Sequence, residues 1–223
     1  GSEAGACIGN HWQQFTQKRN HDGITMKTAK QYTQEELNKT LWSAADSSRG
    51  NVDGGVYKDY VLLFLFYKYI SDLHAHTLSK LKDRYGDDQE RIQLRLKNER
   101  FIVPEGAGFH DLYKKLEADN LGELLNKAMH KIEDENSDRL GGIITVDFNS
   151  EAVLGNTDQR NKMLRNLMRD FAKIDLTAAG DDVIGNAYMY MVERFGSDAG
   201  KKAGEFFTVN AIAELLAKLA DPQ

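Results

Sequence analysis

A single cysteine, Cys7, leaves this sequence with no disulfide framework and no thiolate metal site. That usage fits a reducing, cytoplasmic compartment. Two prolines and 9% aromatics among 223 residues do not describe a disordered chain. No run approaches the ~18–20 apolar residues that a membrane span needs. The first 25 residues lack both a basic start and an apolar core, which excludes a secretory signal. Positive charge is not in excess either. The formal net charge of −5 argues against gripping nucleic acid by bulk electrostatics, so any DNA contact needs a local patch. His74 and His76 lie two apart on a helix and point to different faces, and His110 and His130 have no acidic or cysteine companions at metal spacing. No metal site is assigned. Nucleophile elbow, P-loop and paired-carboxylate signatures are also missing, so no catalytic residue is assigned within these residues.

What is present, 41% hydrophobic and 28% charged residues, describes a soluble globular chain with one large domain or two unequal ones. Gly1–Thr25 is polar and unpatterned. It reads as a leader or tag remnant, with Met26 as a natural start. Thr33-Gln34-Glu35-Glu36 is a capping box opening a helix to about Ala45. From Val56 to about Leu81 runs the strongest element, apolar all round from Tyr60 to Tyr67. That pattern predicts a helix buried on every side, spanning roughly 39 Å. Lys58, Asp59, Lys68 and Asp72 flank its centre and rule out a membrane helix.

Another helix follows Gly86-Asp87 as far as about Asn98. Phe101-Ile102-Val103 is a short strand ended by Pro104, and Ile143 to Phe148 a second, able to pair with it in a small β-ribbon. Phe109–Glu117 and Leu121–Glu135 are amphipathic helices, the latter capped by Asn120. In Asp158–Lys173, Leu164, Leu167, Met168 and Phe171 share one face, and Lys162, Arg165, Arg169 and Lys173 another. That basic stripe is either a solvated helix face or a contact for DNA phosphate or an acidic partner. Thr177–Gly180 reads as a linker into a helix to about Phe195, with Ile184, Ala187, Tyr188 and Met191 on its apolar side.

Gly204-Glu205-Phe206-Phe207-Thr208 then leads into an apolar helix, Val209–Leu219. Thr208 or Asn210 can cap it, and the remaining N–H groups favour a carboxylate. Phe206 and Phe207 suit an adenine ring or a sulfonium, although spacing alone favours two phenylalanines plugging a core.

Taken in order, several segments resemble the modification (M) subunit of type I restriction–modification systems, an adenine-N6 DNA methyltransferase. They are Leu41-Trp42-Ser43-Ala44-Ala45-Asp46 with Arg49-Gly50, Tyr57-Lys58-Asp59-Tyr60-Val61-Leu62, and Leu65-Phe66-Tyr67-Lys68-Tyr69-Ile70-Ser71-Asp72. Phe101-Ile102-Val103-Pro104, Asp147-Phe148-Asn149-Ser150, Asp182-Val183-Ile184-Gly185-Asn186-Ala187-Tyr188 and Gly204-Glu205-Phe206-Phe207-Thr208 complete the series, from about residue 33 onward.

The resemblance implies a mainly α fold: a helical N-terminal domain over 26–176 with the small β-ribbon, then from 177 to 223 the first helices of a truncated Rossmann-like methyltransferase domain. It implies S-adenosylmethionine as cofactor, with Glu205, Phe206, Phe207, Thr208, Val209 and Asn210 on the cofactor side. It also implies double-stranded DNA, a second M subunit, a specificity (S) subunit and a restriction (R) subunit as partners, with no membrane. Val209 stands where the family usually has proline after the threonine, and Ser48 where relatives usually have leucine. The glycine-rich strand–loop and the Asn/Asp-Pro-Pro-aromatic loop for a flipped adenine are not reached by Gln223, so these residues alone are expected to be catalytically silent. The rival expectation is a non-enzymatic helical interaction module.

Overall fold

The computed structural model describes residues 32–50, 52–177 and 179–198. They form helices joined by irregular segments, in the order α1 (Gln34–Ser48), α2 (Gly54–Tyr85), α3 (Gln89–Leu96), α4 (Phe109–Tyr113), α5 (Leu121–Glu135), α6 (Ser137–Leu140), α7 (Glu151–Leu154), α8 (Thr157–Ala172) and α9 (Asp181–Asp198). The mainly helical expectation holds.

α2 is the axis. At 32 residues it is about 48 Å long, longer than the apolar pattern alone outlines. Asp53 starts it, accepting from Gly55 N–H (2.9 Å) and Val56 N–H (3.3 Å), and Gly86 ends it at φ +58°, a conformation that suits glycine. Every residue from Tyr60 to Asp72 is buried. Phe64 sits at the centre, edge-on to Phe171 (ring centroids 5.3 Å) and Phe109 (5.8 Å) and tilted against Phe148 (6.3 Å). Each such pair adds roughly 0.5–1.5 kcal/mol beyond its buried area. One side chain thereby joins α2, α4, α8 and the 147–149 turn.

Helices pack round this axis. α1 carries the capping box: Thr33 Oγ1 accepts from Glu36 N–H (3.2 Å), and the Glu36 carboxylate accepts from Thr33 N–H (3.0 Å). Leu37, Leu41 and Ala45 of α1 are fully buried against α8 and α9. α5 approaches the 147–149 turn so closely that a Cβ on Gly122 would lie 2.3 Å from the Phe148 carbonyl oxygen. Asn126 stitches the same contact, its Oδ1 accepting from Phe148 N–H at 2.9 Å.

The small β-ribbon is a correction. Neither Phe101–Val103 nor Ile143–Phe148 is a strand, and no strand occurs among the described residues. Side chains have taken the backbone groups that a ladder would pair. Asn136 brackets Ile102, its Oδ1 accepting from Ile102 N–H (2.9 Å) and its Nδ2 donating to the Ile102 carbonyl (2.8 Å). Glu133 Oε1 accepts from Gly142 N–H (2.8 Å) and Ile144 N–H (3.4 Å). One boundary and one cap also differ. α4 stops at Tyr113, where the backbone changes to bonds between residues three apart (Lys115 N–H to the Leu112 carbonyl, Leu116 N–H to that of Tyr113), and Arg165 binds the carbonyls beyond them. Asn120 holds the cap position of α5, but its amide donates to Glu123 (3.4 Å) rather than accepting from the helix backbone.

Candidate functional site

Three features of the described residues bear on function: the basic stripe of α8, the cleft beside it, and a charged pair buried in α2. The stripe is built as its periodicity predicts. Asn156 and Gln159 form a capping box, and Leu164, Leu167, Met168 and Phe171 are fully buried.

Its four cations then divide. Arg165 donates to the carbonyls of Leu116 (3.1 Å), Glu117 (3.0 Å) and Ala118 (3.4 Å), so its guanidinium is a strut holding the turn after α4. Arg169 bonds the Glu117 carboxylate at 2.6 Å, and Lys173 bonds Asp170 at 2.6 Å. Asp170 also accepts from the Ser47 hydroxyl (2.8 Å), tying α8 to α1. Burial alone pushes the Asp170 carboxyl up, but the bonds from Lys173, Ser47 and Ser48 outweigh it and hold the group below the ordinary value. Lys162 is exposed and projects at the rim of the cleft.

That cleft, about 500 Å³, lies between the α1–α2 loop, α7 and α8. Arg49, Glu151, Lys162 and Asn166 bring polar groups to it, and Leu154 and Met163 an apolar floor. A volume of this size suits a side chain or a small ligand. Among the described residues no group of three or more His, Cys, Asp or Glu is placed to hold a metal. His110 and His130 each meet one carboxylate, Asp72 (3.1 Å) and Glu133 (3.2 Å) respectively.

The buried pair was not legible as a site. Lys68 and Asp72, four apart on α2, have side chains only 3% exposed. Lys68 Nζ donates to Asp72 Oδ2 and to the Ile174 carbonyl (2.8 Å), and the same Oδ2 accepts from Leu176 N–H (3.1 Å). The ammonium also lies 5.2 Å from the centroid of the Phe109 ring. Ser71 Oγ accepts from Phe109 N–H at 3.0 Å. The middle of α2 therefore fixes both α4 and the 174–176 connection that leads to α9. Asp175 in that connection is held below the ordinary carboxylate value: burial opposes this, but the Thr177 hydroxyl (2.6 Å) and N–H (2.9 Å) bind it. The sequence signal was a Lys–Asp spacing of four inside an otherwise apolar run.

α9 returns to the core. Ile184, Ala187, Tyr188, Met191 and Phe195 are buried, and Phe195 meets Trp42 of α1 (5.0 Å) and Tyr57 of α2 (6.2 Å) edge-on. Arg194 lies over the Trp42 ring at 5.1 Å. The cofactor-side candidates Glu205, Phe206, Phe207, Thr208, Val209 and Asn210 lie outside the described residues.

The sequence model of the HsdM N-terminal domain matches residues 37–171, from within α1 to Phe171 of α8. The chain belongs to the HsdM family. A second model, N-6 DNA Methylase, matches 179–223, so the connection pinned by Lys68 and Asp72 falls between the two matched segments. Among HsdM relatives, the methylase subunit of the type I restriction enzyme MpnII from Mycoplasma pneumoniae is 30% identical over 82% of this chain and 39% of its own length. The methylase subunit of the type I restriction enzyme MjaVIII from Methanocaldococcus jannaschii is 28% identical over 90% of this chain and 34% of its own.

The crystal structure of the type I restriction-modification system methyltransferase subunit from Streptococcus thermophilus superposes with a TM-score of 0.70. It is 28% identical, over 84% of this chain and 44% of that one. The chain thus spans less than half the length of these HsdM relatives. No helix among the described residues is long and apolar enough to cross a membrane.

Proposed function

We propose that the full protein is the modification subunit of a type I restriction–modification system and transfers a methyl group from S-adenosylmethionine to adenine N6 in double-stranded DNA. What carries this reading is the order of the two family matches, 37–171 followed directly by 179–223. The division into a helical domain over 26–176 and a methyltransferase domain from 177 belongs to the same proposal. The partners are a second modification subunit, a specificity subunit and a restriction subunit, and the compartment is the cytoplasm.

In this reading the helical domain assembles the complex and closes on DNA. Lys162 of the stripe presents charge to phosphate or to a partner, Arg169 and Lys173 do so by exchanging Glu117 and Asp170, and Arg165 holds the adjoining turn. Glu205, Phe206, Phe207, Thr208, Val209 and Asn210 line the cofactor pocket. S-adenosylmethionine supplies an activated methyl group on a sulfonium. Thr208 and the N–H groups that follow it meet the carboxylate, and an aromatic ring packs near the ligand.

The test uses the full-length protein assembled with its specificity subunit, a cognate duplex and radiolabelled S-adenosylmethionine. Label is expected at adenine N6. Thr208→Ala is expected to weaken cofactor binding about ten- to hundredfold, the scale of one hydrogen bond to a charged group. Absence of label with the wild-type protein overturns the activity, and unchanged affinity in the variant overturns the role of Thr208.

A further inference from the structure

The last turns of α2 and the whole of α3 form a helical hairpin that stands out from the core. Of the eight residues of α3 only Ile92 and Leu96 are buried. So short a helix is marginal alone, and two anchors leave most of it facing water. Between the two helices opens a notch lined by Tyr85, Arg91, Leu94, Arg95 and Asn98. Leu94 is 63% exposed, the most exposed large apolar side chain among the described residues. Arg91 and Arg95 flank it, and no carboxylate lines the notch. Asp88 holds Arg91 by Nε (3.1 Å), which orients the guanidinium and leaves its remaining N–H groups to point elsewhere. Arg84 lies over the Tyr85 ring at 5.9 Å. Arg91 and Arg95 thus bring positive charge to the notch, while the hairpin's acids, Asp83, Asp87, Asp88 and Glu90, lie outside its lining.

The geometry points to a docking site for an acidic segment of a partner protein, seated by one aliphatic side chain on Leu94. Charge complementarity selects the acids: each guanidinium offers a fork that a carboxylate fills with two hydrogen bonds. Leu94 selects protein over nucleic acid. A phosphodiester satisfies the arginines but leaves the leucine in water, whereas an aliphatic side chain between two carboxylates satisfies all three. Tyrosine and arginine round an apolar centre are also the residue types in which binding energy concentrates. The inference rests on the reading of the full protein as an assembling subunit.

The test places a photo-crosslinker at this position, Leu94→p-benzoylphenylalanine, in the full-length protein. That protein is reconstituted with purified specificity and restriction subunits and a cognate duplex. After irradiation the adduct is mapped by mass spectrometry. The expected adduct joins position 94 to an apolar residue of a partner subunit with at least two Asp or Glu within four residues of it. Adding Arg95→Glu is expected to cut its yield at least tenfold. Leu94 and Arg95 both lie outside the core, and unchanged hydrogen-exchange protection of residues 73–96 checks that the hairpin still folds. An adduct to the duplex, an adduct to a segment without acids, no adduct above that from Val56→p-benzoylphenylalanine, or full yield with Arg95→Glu each overturns the proposal. If the wild-type subunits do not assemble at all, the assembly reading falls and takes this site with it. If they assemble and the adduct fails, only the docking site falls.

Discussion

Lys68 and Asp72 occupy a place in α2 where neither charge is stable without the other. Each is almost fully buried, and each also serves the backbone, Lys68 the Ile174 carbonyl and Asp72 the Leu176 N–H. Replacing Lys68 by Met leaves the buried Asp72 carboxylate with only the Leu176 N–H and the imidazole of His110 (3.1 Å), and the Ile174 carbonyl without its donor. Such a change costs about 3–5 kcal/mol, because the stranded charge and not the lost attraction dominates. Urea unfolding of the full chain is expected to show that loss, and one below ~1 kcal/mol would contradict the geometry. Removing both charges, Lys68→Met with Asp72→Leu, is expected to recover part of it. The sequence did not reveal this pair as a pin. Four-residue spacing marks a shared helix face, but what faces it from Ile174 and Leu176 is a long-range matter that no local pattern carries.

At the scale of elements, legibility followed locality. The capping box at Thr33 and Glu36 is complete within four residues, and the burial of Leu164, Leu167, Met168 and Phe171 follows from their helical period alone. Phe101–Val103 and Ile143–Phe148 have the composition of strands, yet Asn136 and Glu133 compete for their backbone groups and win. One side chain can satisfy an N–H and a carbonyl together, without the register that a two-strand ribbon requires. Asn136→Ala is therefore expected to destabilise the chain by about 1–3 kcal/mol, as the Ile102 N–H and carbonyl lose their partners in a half-buried site. Thermal denaturation measures it. Asn136→Asp keeps the acceptor for Ile102 N–H but loses the donor to its carbonyl, and is expected not to rescue fully.

At the scale of the whole molecule, two partly buried imidazoles among the described residues respond to pH near neutrality. Burial lowers the His74 and His76 values below the ordinary 6.5, with Lys80 adding to the effect at His76. The unfolded chain then binds more protons than the folded one, so these two groups contribute stability above pH 6.5 and lose it as pH falls below that value. Asp170 and Asp175, held below 3.8, contribute above that pH and do not change across the histidine window. Unfolding free energy is expected to be lower at about pH 5.5 than at about pH 7.5, with a smaller difference in His74→Gln. An unchanged difference in the variant would remove His74 from the account.

The return of α9 to the core has a consequence for how such proteins can be recombined. Helix α9 lies in the segment matched to the methylase family, but its apolar face is filled by α1 and α2, with Phe195 between Trp42 and Tyr57. A chimera joined at residue 177 would set a foreign α9 on these aromatics. Exchange between relatives at that seam therefore succeeds only where the incoming helix matches the groove left behind. The unit that can be inherited or swapped as a block is drawn by packing, some twenty residues beyond where the family match changes.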